Sequence, residues 1–142
     1  MKTPSPIRFL NLPGKERIFF LSLLWLTLLV RIITLFPFRM YENWIVKLPS
    51  HMHEPVSEEE VFMEMLLRSV RRIEKYFSVI STCLVTAVTV KKFLQSYGKR
   101  SILKMGVKKD DGSLKAHAWL IYNDTVITGG MQSEQYNELY SL

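Results

Sequence analysis

The chain has 142 residues, 48% of them hydrophobic, which suffices for one core and falls short of two. Its 19 Lys and Arg against 13 Asp and Glu leave a formal charge of +6, a balance that favours nucleic acid, anionic lipid or an acidic peptide without choosing among them. A single cysteine, Cys83, excludes an internal disulfide and a CxxC metal site, fits a reducing compartment and leaves the thiol free for chemistry.

Residues 1–17 hold Pro4, Pro6, Pro13 and Gly14 among Lys2, Arg8, Lys15 and Arg17, and read as an irregular basic lead-in. The apolar run IFFLSLLWLTLLVRIITLF, residues 18–36, stops at Pro37 and approaches the roughly 20 residues that cross a bilayer. It is too long for a cleaved signal peptide, and no small-x-small cleavage pattern follows it. A spanning helix would place Arg31 in the apolar slab at a cost of about 3 kcal/mol. The alternative is a very hydrophobic helix docked on its own domain, on a partner or flat on a membrane surface. Residues 37–56 read as a short helix around MYENWIVKL followed by a linker. The linker contains His51-Met52-His53, whose two rings share a side in extended backbone, but no third ligand is nearby and the stretch is read as linker, not as a metal site.

SEEEVFMEMLLRSVRRIEKYF opens on a capping box, Ser57 with Glu60, and an acidic first turn. Val61, Phe62, Met65, Leu66, Val70, Ile73 and Phe77 recur at helical spacing, leaving Arg68, Arg71, Arg72 and Lys75 for the other face. STCLVTAVTVKKFLQSYG reads as a second helix starting at residue 82 or 83 and stopped by Gly98, with Cys83, Ala87, Val90 and Leu94 as its apolar stripe; its Val and Thr content makes a strand the alternative. The period then changes to two. SILKMGV is a strand, Asp111-Gly112 a turn, KAHAWLIY a second strand, and TVITGG a third after Asn123-Asp124. Helices followed by a small antiparallel sheet predict an α+β fold.

Cys83 falls in the first turn of its helix, with Ser81 and Thr82 as candidate caps. Free N–H groups and the helix dipole there favour a thiolate and can hold the oxyanion of an attacked carbonyl. In an extended strand His117, Trp119 and Ile121 share one face and Ala116, Ala118 and Leu120 the other, so the imidazole points with Trp119 toward a packed layer. From that position it could take a thiol proton and return it to a leaving amine. Taken separately, each residue has a plainer reading, the cysteine as a small buried side chain and the histidine as a satisfied core ring.

A cysteine opening a helix as CL, a Gly ending it, a strand ending in MGV, then AHAW and a hairpin closing on TGG resemble the transglutaminase-like cysteine peptidase of lasso peptide biosynthesis, in its stand-alone form. KERIFFLSLLWLTLLVRIITLFPF is similar to that family's leading hydrophobic segment, and the likeness covers residues 12–135. The resemblance implies a transglutaminase-like or papain-like core over residues 57–142, behind the lead-in 1–17 and the helix and linker of 18–56. It implies a cytoplasmic enzyme that uses Cys83 as nucleophile and His117 as general base to cut the leader from a ribosomally made lasso precursor peptide, with no cofactor, no metal and no nucleic acid. The implied partners are a separate leader-binding protein, the RiPP recognition element, and an ATP-using lasso cyclase; membrane association through 18–36 rests on the apolar run itself. The family pattern often has an orienting aspartate about a dozen residues after the histidine, where this chain has Thr128-Gly129-Gly130. Asp124 is too far along the hairpin, so a backbone carbonyl, Thr128 or a tail acid such as Glu134 is left for that task. Two other readings remain open: a membrane-anchored binding or scaffold protein in which Cys83 and His117 are inert, and an acyl transferase using the same pair for cross-linking.

Overall fold

The computed structural model describes residues 12–49, 52–54 and 56–142. Over them the chain runs α1 (Gly14–Ile33), α2 (Phe38–Val46), α3 (Glu59–Tyr76), α4 (Cys83–Ser96), β1 (Ile102–Asp110), β2 (Ser113–Tyr122), β3 (Thr125–Thr128), a 3-10 turn (Gly130–Gln135) and β4 (Asn137–Ser141). The order is helices first and one antiparallel sheet after them, the α+β arrangement that the periodicity predicts.

The helix α4 is the axis of the core. Thr82 caps its start, the hydroxyl accepting the Val85 N–H at 3.4 Å, whereas Ser81 bonds back to the Phe77 carbonyl. Gly98 ends it at φ +72°: the Lys99 N–H reaches the Leu94 carbonyl at 2.9 Å and the Gly98 N–H reaches that of Gln95 at 3.0 Å, satisfying the last turn. The sequence suggests one buried stripe, but every residue from Val85 to Gln95 is buried. This all-round contact explains why a Val- and Thr-rich segment is held as a helix: burial outweighs propensities of a few tenths of a kcal/mol per residue. Even Lys91 and Lys92 are enclosed. Their ammonium groups donate to the carbonyls of Ser101 (2.5 Å) and of Trp44 and Lys47 (2.9 and 2.6 Å). Desolvation pushes both below the ordinary lysine range, with Lys91 adding to the effect on Lys92.

The helix α1 starts at Gly14, inside the stretch that reads as lead-in, and takes Lys15, Glu16 and Arg17 into its first turn; residues 1–11 lie outside the described residues. It ends at Ile33, and no described helix is long and apolar enough to cross a membrane. Phe19, Phe20, Leu23, Thr27 and Val30 are buried in the same apolar cluster as α4, with the Phe19 ring edge-on to Phe62 and Phe93. This is the docking alternative for the hydrophobic run. The expected capping box at Ser57 and Glu60 is not formed: α3 begins at Glu59 with no side-chain cap. Glu59 is drawn instead to Tyr122 and Lys99, and both interactions hold its carboxyl below the usual range. Phe62, Leu66, Val70 and Ile73 are buried as their spacing predicts, but Val61 and Phe77 are exposed.

The sheet order is β3-β2-β1-β4. Two tight turns set it, Asp111-Gly112 and Asn123-Asp124, all four residues with positive φ, as two-residue hairpins require. The fourth strand was not legible in NELYS; after the 3-10 turn it crosses to the far edge and pairs with β1. Leu103, Ala118 and Leu120 belong to the apolar cluster shared with the helices.

Thr89 Oγ1 is buried without a hydrogen-bond partner among the described residues, beside a small void that Leu23, Thr27, Val70, Ile73, Thr86 and Val90 also line. Replacing an unsatisfied hydroxyl with a methyl of similar shape removes a desolvation cost. Thr89→Val is expected to raise the unfolding free energy by about 1 kcal/mol in urea denaturation; a loss of stability would contradict the assignment.

Candidate active site

Cys83 occupies the first turn of α4 and is solvent-exposed. The helix begins there because Thr82 is extended (φ −70°, ψ 162°) and supplies both cap bonds, its hydroxyl to Val85 and its carbonyl to the Thr86 N–H at 2.9 Å. That leaves the N–H groups of Cys83 and Leu84 without partners among the described residues, as the geometry of a helix start requires. A thiol flanked by two free donors can attack a carbonyl carbon and have the resulting oxyanion held by the same turn.

His117 lies midway along β2, opposite Gly106 of β1, and is partly buried. Because Ala118 and Leu120 face the helices, strand alternation turns His117 and Trp119 to the other face of the sheet. The packed layer expected over the ring is therefore not the helical core. The imidazole lies against Trp119, with centroids 6.1 Å apart, and against Tyr136, 5.0 Å away. Lys108 sits over the outer side of Tyr136 and donates to Gln135. Trp119 is buried because Gly106 has no side chain: a Cβ there would meet the Trp119 ring at 3.0 Å and the Asn137 carbonyl at 2.6 Å.

Among the described residues the ring has one hydrogen bond, Nε2 to the Gly129 carbonyl at 2.8 Å. A carbonyl only accepts, so Nε2 carries the proton and Nδ1 keeps its lone pair in the neutral ring. The backbone produces this in two steps. β3 pairs Ile121 with Val126 but Leu120 with Thr128, so Ile127 is bulged out and the strand bends. Gly129 then adopts φ +70° and starts the 3-10 turn. The other groups left for this task do not fill it: Thr128 Oγ1 is buried without a hydrogen-bond partner among the described residues, and Glu134 is exposed.

Among the described residues no hydrogen bond joins the Cys83 thiol to the His117 ring. Their elements are nevertheless packed together, α4 lying along β2. Lys91 of α4 reaches Ser101, next to Ile102, which pairs with Ile121. α4 packs on the face of β2 that carries Ala118 and Leu120, and His117 is on the other face. His53, the described member of the His51-Met52-His53 stretch, stacks on Tyr97 at 4.6 Å, and its N–H bonds the Ser96 carbonyl; His51 is outside the described residues.

Sequence reasoning did not single out Gly129, Tyr136 or Gly106. The Gly-Gly pair was the available signal for the first, since a glycine closing a hairpin often supplies a positive φ.

A family model described as the Transglutaminase-like superfamily matches residues 24–141, a span that takes in Cys83 and His117. No curated protein and no solved structure matches the chain significantly.

A Cβ on Gly129 would stand 2.6 Å from the Ala118 carbonyl and 3.0 Å from His117 Nε2, on a backbone that L-residues rarely adopt. Gly129→Ala is expected to cost about 2 kcal/mol or more of stability and to broaden or move the His117 ring signals in NMR spectra. An unperturbed ring in a fully stable variant would contradict the role of this carbonyl.

Proposed function

The chain belongs to the transglutaminase-like superfamily, and from that premise we propose that it is a cytoplasmic cysteine peptidase that removes the leader from a lasso precursor peptide. Its substrate is delivered by a separate leader-binding RiPP recognition element, and the freed core N-terminus goes to an ATP-using lasso cyclase. The observation that carries the reading is the pinned imidazole: with Nε2–H held by Gly129, Nδ1 is the nitrogen left to act as base. The exposed thiol at the first turn of α4 is the nucleophile of this reading.

The proposed reaction requires the thiol and Nδ1 to reach hydrogen-bonding distance, and because His117 lies on the face of β2 turned away from the helices this takes a rearrangement of β2 or of the first turn of α4 in the substrate complex. Sγ attacks the scissile carbonyl carbon as its proton passes to Nδ1, and the N–H groups of Cys83 and Leu84 hold the oxyanion. Collapse breaks the C–N bond, and the core amine leaves with the proton from Nδ1. The leader stays as a thioester. Water then attacks that thioester and gives a proton to Nδ1; the sulfur departs and is reprotonated, and the leader leaves as a carboxylic acid. A neutral group orienting the histidine is compatible with this chemistry, as papain-like sites show.

Incubated with precursor and leader-binding protein, Cys83→Ala and His117→Ala are each expected to lower cleavage, followed by mass, by about 10³-fold or more. The rate of Cys83 alkylation against pH should also change shape in His117→Ala. Wild-type cleavage by both variants would overturn the proposal, and an amine adduct in place of hydrolysis would assign the pair to acyl transfer.

A further inference from the structure

The outward face of α1 carries an apolar stripe that the domain leaves uncovered. Ile18, Leu21, Trp25, Leu28 and Ile32 are exposed, Trp25 to 64%, and Leu35 just past the helix continues the line at 72%. Steps of three and four residues keep them on one side of the helix. The opposite side is already buried in the core, so α1 is apolar on both faces, the pattern of a helix that is covered all round when in place. Arg31, the one charge inside the run, is turned about 100° away from Ile32. Lys15 stands exposed before the stripe, and Arg39 and Lys47 stand exposed beyond it.

We propose that this face seats α1 flat on an anionic membrane surface, its stripe at the boundary between headgroups and acyl chains and the cations at its two ends on the headgroups. Charge selects this occupant over a second copy. Two-fold pairing of the same face brings Lys15 against Lys15, or Lys15 against Arg39 and Lys47, and every such meeting is repulsive. Anionic lipid complements both ends and the formal charge of +6. Trp25, near the middle of the stripe, is of the residue type enriched at membrane interfaces. A helix lying in the surface needs no membrane-crossing length, and none of the described helices has it. The inference does not depend on the peptidase reading.

The test is co-sedimentation of the full chain with vesicles of phosphatidylcholine alone or with phosphatidylglycerol added. Binding should be about tenfold or more tighter to the anionic vesicles and should weaken as salt is raised. Leu21→Gln with Leu28→Gln should abolish it, with an unchanged circular dichroism spectrum, and Lys15→Gln with Arg39→Gln should remove the preference for anionic lipid. Absence of binding, equal binding to both vesicle types, or a dimer that the Leu21→Gln, Leu28→Gln protein dissolves would each overturn the proposal.

Discussion

The hydrogen bond from His117 Nε2 to the Gly129 carbonyl decides which imidazole nitrogen keeps a lone pair, and much of the C-terminal half is arranged around it. It requires an extra residue in β3, a left-handed glycine after it and a 3-10 turn that takes the place of a longer strand beside His117. Tyr136, which leads from that turn into β4, packs on the ring. A side-chain carboxylate is the usual way to hold such a histidine. Here the backbone does it, and a peptide carbonyl orients the ring without adding a full negative charge to stabilise an imidazolium.

The second constraint is the enclosure of α4. Its buried length gives Cys83 a rigid support, and its first turn emerges from the core so that the thiol is exposed to solvent. The buried lysines belong to the same design: Lys91 ties the helix to the approach to β1, and Lys92 ties it to α2. Cys83 and His117 are thereby fixed by different layers, one by helix packing and the other on the sheet's outer face.

Much of this was legible in the amino-acid order. The change of period near residue 101, the Asp111-Gly112 and Asn123-Asp124 turns, and Gly98 as a helix stop are local signals with local causes, and they appear in the structure where the sequence puts them. The capping box does not form because the helix starts at Glu59, which puts Glu58 and not Ser57 at the cap position; Glu59 itself is held by Lys99 and Tyr122. β4 was missed because all five of its residues are exposed, so no alternation marks it; its place comes from pairing with β1. The face occupied by His117 follows from which side of β2 the helices cover, a fact of assembly that strand alternation alone leaves open.

Nitrogen-15 NMR of the imidazole tests the central claim most directly. With the ring neutral, and its signals assigned by comparison with His117→Gln, Nε2 should show the shift and coupling of a protonated, pyrrole-like nitrogen and Nδ1 those of a lone-pair, pyridine-like one. The opposite tautomer, with the proton on Nδ1, would contradict the account, because the Gly129 carbonyl would then have no proton to accept and the thiol no base to meet.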